Sequence, residues 1–321
     1  MMKPSVLVSK CLGFAACRYN GVTIFNNFIE NLKPHVKYIT VCPEVEIGLG
    51  VPREPVRVIS NKGDLRLMQP ATKRDITQGM HDFCSDFLAS LKHIDGCLLK
   101  SRSPSCGIKD VKMYPRMEKS TSIGKGSGFF GAAVVHHFSQ IPIEDEGRIT
   151  NFRIREHFLT KLFASAKFRE MSTINYMRSL VQFHTENKFL LMAYNQKELK
   201  ILGQIVANRE QHPLNEIVQN YREHFFKAFA TLPRYTSNIN VLTHAMGYFK
   251  KHLSHREKNF FLDSLEKYRK RKIPLSVNLG IINSWIIRFG EDYLSHQTYF
   301  SPYPETLVEI TDTGKGKVLQ E

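Results

Sequence analysis

The sequence predicts two architectures in series: an α/β region with a mainly parallel, Rossmann-like sheet, then an all-α region. Up to Phe138, short aliphatic runs alternate with amphipathic stretches. From about Ile154 onward, apolar residues recur every three or four positions. Strand–helix alternation implies parallel pairing with helices covering the sheet. A third observation separates the regions chemically: all six cysteines fall at or before Cys106. The domains are expected to be 1–143 and 144–321, meeting in the polar stretch 141–147 (IPIEDEG), which reads as a linker.

In chain order, residues 5–9 (SVLVS), 37–41 (KYITV) and 96–100 (GCLLK) read as buried strands, being short, aliphatic and followed by polar turns. Between them, residues 23–32 and 76–91 carry helical apolar spacing and suit crossover helices. Residues 126–138 (GSGFFGAAVVHHF) read as a glycine-rich turn feeding another helix. The later helices are expected at 154–165, 173–185, 188–208, 214–232, 238–252, 255–272 and 279–296. Pro233 and Pro274 fall at breaks, and Ser254 with Glu257 forms a capping box.

The composition bounds the function class. With 42% hydrophobic and 23% charged residues the chain reads as a globular protein. No apolar run approaches the roughly 20 residues needed to cross a bilayer. The start turns polar at Lys10 and lacks a small-residue cleavage site, so it reads as a first strand and not as a secretory signal. A cytoplasmic location is expected, where clustered thiols point to metal or catalysis and not to disulfides. The formal charge of +15 is spread over both halves and attracts anions, a nucleotide or tRNA among them, without specifying one.

In open α/β sheets, ligands bind beyond the carboxyl ends of the strands. Cys11 lies just past the first strand, Cys42 ends the second, and Cys106 follows the third, so three thiols distant in sequence should meet at one sheet edge. Cys84 sits in a helical pattern and Cys97 in a strand, as small core residues do. Cys17 lies near the site on a loop. Structural zinc prefers four ligands and C-x-x-C pairs, which the chain lacks. Three thiols leave a metal with an open position, as a cubane cluster or as a three-cysteine zinc site. Spacing alone favours a third reading, unrelated core thiols. Two local contexts weigh against it: Val41-Cys-Pro-Glu44, with a carboxylate beside a ligand, and Ser101-Arg-Ser-Pro-Ser-Cys-Gly107, rich in hydroxyls.

Residues 5–21 (SVLVSKCLGFAACRYNG), 41–55 (VCPEVEIGLGVPREP) and 100–107 (KSRSPSCG) closely resemble the thiouracil desulfidase family. The resemblance runs over roughly the first 140 residues. It implies a [4Fe-4S] cluster on Cys11, Cys42 and Cys106, with one open iron. It also implies a catalytic carboxylate at Glu44, a catalytic serine in the SPSC segment, assigned to Ser103 with Ser101 and Ser105 as alternatives, and Cys17 as a non-ligand. Arg57 stands where the family often has an acidic residue, and residues 60–74 look particular to a subgroup. The helical half resembles the YbgA-like domain, whose activity is not established. The matching pieces are 238–258 (NINVLTHAMGYFKKHLSHREK), 268–275 (YRKRKIPL) and 296–304 (HQTYFSPYP), preceded by 144–158 (EDEGRITNFRIREHF), which is typical of fusions of the two.

The resemblance implies a non-redox desulfidase acting on a thiolated pyrimidine, nucleotide or related compound. A nucleic-acid-associated protein with a structural or sensory cluster stands beside it, as does sulfur transfer to tRNA. Weaker sites read as structural: Arg53 between prolines, the glycines at 124–131 with Lys125, the scattered His184, His244 and His252, and the basic face of Tyr248, Lys250 and Lys251.

Overall fold

The computed structural model describes residues 3–311, apart from Lys62, Ile174, Asn175, Arg209 and Ile310. Two compact units emerge. One holds the chain up to Ala166 and rejoins from Thr306; the other spans Lys167–Glu305.

The first unit begins with β1 (Ser5–Ser9), α1 (Asn27–Leu32), β2 (Lys37–Val41) and α2 (Pro43–Glu46). There follow β3 (Arg57–Asn61), β4 (Asp64–Gln69), β5 (Arg74–Asp75), α3 (Thr77–Ser90) and β6 (Gly96–Leu99). It closes with β7 (Val111–Tyr114), β8 (Gly124–Gly126), α4 (Phe129–His137), β9 (Ile143–Asp145) and the start of α5 (Phe152–Ser172). Four strands make an all-parallel sheet in the order β2-β1-β6-β9. Val6, Leu7 and Val8 are wholly buried at its centre, which is why the first strand reads as a continuous aliphatic run. The parallel α/β architecture is as predicted.

Residues 141–147 are not a linker: β9 lies among them as the fourth parallel strand. Its sequence, Ile-Glu-Asp, has one aliphatic residue and two carboxylates in place of the aliphatic run of a central strand, because a sheet edge leaves polar groups room. A second sheet, β5-β4-β3-β7-β8, also lay outside the sequence reading. It is mixed: β3 and β7 run parallel, and the other neighbours run antiparallel. One apolar cluster joins both sheets with α3 and α4, through Leu7, Val58, Met80, Cys97, Phe130 and Val134 among others. The first predicted helix starts four residues late, because Asn26 caps it by accepting from the Ile29 amide.

The second unit is helical: the end of α5, then α6 (Met177–Tyr194), α7 (Gln196–Ala207), α8 (Leu214–Ala228) and α9 (Tyr235–Tyr248). After these come α10 (His255–Arg269), α11 (Leu275–Phe289) and the short α12 (Asp292–Ser295). The break expected near residue 186 lies at Asn195, whose side chain caps α7 by accepting from Lys197 and Glu198 amides. Gly290, at φ +62°, ends α11 and splits the last expected helix. The Ser254–Glu257 capping box forms as predicted. No helix among the described residues is long and apolar enough to cross a membrane.

Candidate active site

At the carboxyl edge of the parallel sheet the loops after β1, β2 and β6 enclose a cavity of about 350 Å³. Cys11, Cys17, Cys42, Glu44, Arg53, Lys100, Ser103 and Cys106 are among its walls. The register explains the convergence. Ser9 lies opposite Val41, and Val8 opposite Leu98, so the three strands end level and their next residues share one edge. The structure therefore brings the three predicted thiols to one place, with Cys17 beside them.

All four thiols are buried, from 6 to 9% exposed. Burial pushes the Cys11 thiol up to about 11, with Cys42 raising it further and Lys100 opposing. Burial likewise lifts Cys17 to about 12, reinforced by Cys42. Cys106 also lies well above the ordinary thiol range, chiefly by burial, with Ser9 opposing through a hydrogen bond. A metal binding these thiols displaces their protons. Among the described residues no three His, Cys, Asp or Glu side chains are grouped round a single ion.

Cys106 is held by an unusually close backbone contact. A Cβ on Gly128 would stand 2.6 Å from the carbonyls of Pro104 and Ser105, and one on Gly131 would stand 2.7 Å from that of Cys106. Only glycine lets the amino end of α4 lie against the cysteine loop. Three amides there are taken: Gly128 donates to Gly107, Phe129 to Pro104 and Gly131 to Ser105. The glycines at 124–131 thus pack a loop. Lys125 is outside the cavity, paired with Asp110 at 3.3 Å.

Glu44 enters the cavity from the first turn of α2, buried at 9% exposure. Its Oε1 accepts from Ser105 Oγ at 2.8 Å. Its Oε2 accepts from Arg53 Nε at 2.7 Å, and Arg53 Nη2 also lies 2.7 Å from it. Arg53 Nη1 donates to the carbonyls of Cys17 and Gly50. Arg53 is thus a buried clamp, where its proline-flanked sequence reads as a solvated loop.

The three serines of the loop divide their contacts. Ser103 lines the cavity; its Oγ accepts from the Cys106 amide at 3.1 Å and the Ser105 amide at 3.3 Å. Both acceptor positions are thereby used, and the hydroxyl proton is left to donate. Ser105 orients Glu44, and Ser101 donates to Glu146 Oε1 at 2.6 Å. Lys100 also pairs with Glu146. Sequence reasoning missed this Lys100–Ser101–Glu146 group, although Lys100 directly follows β6, where the strand-end rule places ligand contacts. Arg102 holds φ +58°, a conformation rarely adopted away from glycine and found often at ligand sites.

Cys84 and Cys97 belong to the apolar cluster, 4% and 0% exposed, as expected of core residues. The histidines of the helical unit do not assemble. His184 pairs with Tyr221 at 3.1 Å and His252 stacks on Phe289, while His244, Tyr248, Lys250 and Lys251 are exposed.

Comparison with known proteins follows the same division. A family model described as 2-thiouracil desulfurase matches residues 6–146, and one described as a protein of unknown function, DUF1722, matches residues 188–304. The uncharacterized protein YbbK of Bacillus subtilis (strain 168) is 36% identical over 109 residues, 32% of this chain and 72% of its own length. The uncharacterized protein YbgA of Escherichia coli (strain K12) is 26% identical over 157 residues, 48% of this chain and 93% of its own. Of solved structures, the [4Fe-4S]-dependent thiouracil desulfidase TudS aligns with a TM-score of 0.36 at 27% identity, covering 45% of this chain and 91% of that one. By the matches to its amino-terminal region the chain belongs to the 2-thiouracil desulfurase family, with a YbgA-like, DUF1722 region following.

Proposed function

We propose that this chain is a [4Fe-4S]-dependent, non-redox desulfidase that removes sulfur from a small thiolated heterocycle, with residues 1–143 as its catalytic domain. Cys11, Cys42 and Cys106 are the residues that would hold the cluster. One observation carries the reading: thiols from three separate loops wall a single cavity together with Glu44 and Ser103. The donor set fits the group, since soft thiolates suit iron–sulfur clusters and a polynuclear cluster takes each on a different iron.

Held by Cys11, Cys42 and Cys106, such a cluster would supply a Lewis-acidic iron able to draw electron density from a thione C–S bond. The remaining work belongs to the chain. In the net reaction a thione and water become a carbonyl and hydrogen sulfide, with no electrons exchanged, so what must be managed is protons. Glu44 would receive a proton from water or from the ring at its carboxylate oxygens and return it to the departing sulfur. Arg53 and Ser105 fix that carboxylate from both sides. Ser103 donates its hydroxyl proton toward the ring, orienting it. Lys100 stands beside Cys11 in an ion pair with Glu146, the ammonium favouring and the carboxylate opposing negative charge on the sulfur.

Anaerobic purification with iron, sulfide and zinc analysis tests the reading. Iron and acid-labile sulfide in a one-to-one ratio, with sulfide released from thiouracil or thiouridine, are expected. One zinc per chain, or no metal after anaerobic reconstitution, overturns it.

A further inference from the structure

Cys17 has no place in the ligand set above, yet it walls the same cavity. Adjacent strands put it there. Since β1 and β2 run parallel in register, the loop carrying Cys17 and the residue following β2, Cys42, leave the sheet side by side. Cys42 Sγ reaches the backbone of Cys17 directly, donating to its carbonyl at 3.7 Å. Arg53 fixes the same Cys17 carbonyl at 3.0 Å, and Cys42 is anchored as the cap of α2. With Cys42 Sγ against the Cys17 backbone and both residues walling one cavity, side-chain rotation can bring the two sulfurs to an S–S bond of about 2.05 Å.

We propose that in the cluster-free protein Cys17 and Cys42 form an oxidation site that closes to a disulfide and withholds Cys42 from iron until a thiol reopens it. The withholding rests on the reading of Cys42 as a cluster ligand; the disulfide does not. With a small-molecule disulfide such as oxidised glutathione, the step balances. One cysteine thiolate attacks a glutathione sulfur and expels one glutathione thiolate. The other cysteine then attacks the mixed disulfide and expels the second. Both cysteine protons end on glutathione, and two electrons pass from the protein to it. Reduction by a dithiol reverses the exchange.

The test uses the full chain, stripped of metal under anaerobic conditions, reduced, treated with oxidised glutathione and then alkylated with N-ethylmaleimide in denaturant, where all six buried cysteines are accessible. Alkylatable thiols should fall from six to four, that is, six less the two joined. Trypsin should yield peptide 11–18 linked to peptide 38–53. Because 11–18 carries both Cys11 and Cys17, fragmentation must place the maleimide on Cys11. Cys17→Ser and Cys42→Ser should each lose the link, and Cys11→Ser should keep it; Cys17→Ala, checked by circular dichroism, stands in if the serine variant fails to fold. A bridge through Cys11, a bridge persisting in Cys17→Ser, or maleimide on Cys17 overturns the proposal while leaving the cluster reading intact. In a second arm, oxidised wild type should take up at least about tenfold less iron and sulfide than protein reduced with dithiothreitol, and Cys17→Ser should not respond to the pretreatment. Normal loading of bridged wild type overturns the withholding, and with it Cys42 as a ligand.

Discussion

Both units of the molecule bury polar side chains, but the groups face different things. In the helical unit several of them close on one another. Asn238 accepts from Tyr299 at 2.9 Å and donates to Tyr268 at 3.2 Å. Gln297 accepts from the Phe189 amide and donates to the Thr185 carbonyl, and His184 pairs with Tyr221. In the α/β unit Glu44 (held by Ser105 and Arg53), Lys100 (held by Glu146), Ser103 and four thiols border a cavity. Closed networks tie elements together; networks with an open side position groups for a guest. Substitutions in the first should therefore cost folding, and substitutions in the second should cost chemistry while leaving the fold alone.

The largest effect sharpens that contrast. Cys42→Ala should lose the cluster and bring sulfide release down by at least about a hundredfold, with far-ultraviolet circular dichroism unchanged. Full cluster absorbance and activity in that variant would break the comparison on the α/β side. Glu44→Gln comes next. It keeps the shape and hydrogen-bonding capacity at Ser105 but removes the carboxylate, so iron content should hold while turnover falls by about 10²–10⁴. Loss of iron in this variant would make Glu44 a structural partner of the loops, aligned with Arg53, and not a proton carrier.

The same contrast governs how much was legible in the sequence. Three strands of the parallel sheet show as aliphatic runs, β1 and β6 because both faces are buried and the edge strand β2 through Ile39 and Val41, and from them the meeting of Cys11, Cys42 and Cys106 followed by topology. The second sheet did not show. Its β5 is two residues long and its β8 is Gly-Lys-Gly, too short and too polar for periodicity to register. The polar partners around the cavity were equally hidden. Glu44 meets Ser105 across 61 positions and Lys100 meets Glu146 across 46, and no local pattern specifies such pairings. Arg53 illustrates the failure most clearly: proline neighbours suggested an exposed loop, but the loop folds inward to clamp a carboxylate.

A core substitution probes the other side. Phe225 is wholly buried, with the rings of Phe168, Phe183 and Phe229 centred 5.1 to 5.4 Å away. Phe225→Ala should destabilise by about 3–5 kcal/mol, seen as an earlier urea midpoint. Sulfide release per folded molecule should stay at the wild-type value. A fall in specific rate with the fold intact would show that the helical unit contributes to turnover.

The smallest effect comes from a polar group in the α/β unit that is not on the cavity. Lys161 lies on α5, and burial pulls its ammonium down to about 8 from the usual 10.5. Above pH 10.5 both folded and unfolded chains carry it neutral, and it contributes nothing. As pH falls from 10.5 toward 8 the unfolded chain takes up the proton first, so stability is lost over that window and the full cost is present at pH 7. Lys161→Met should therefore stabilise the protein at pH 7 by an amount on the order of 2 kcal/mol, and the gain should vanish above pH 10.5. Urea unfolding at the two pH values measures both. A gain that persists in alkali would come from packing and not from charge. A loss at pH 7 would mean that Lys161 holds a partner, and that this unit too uses buried charge to tie itself together.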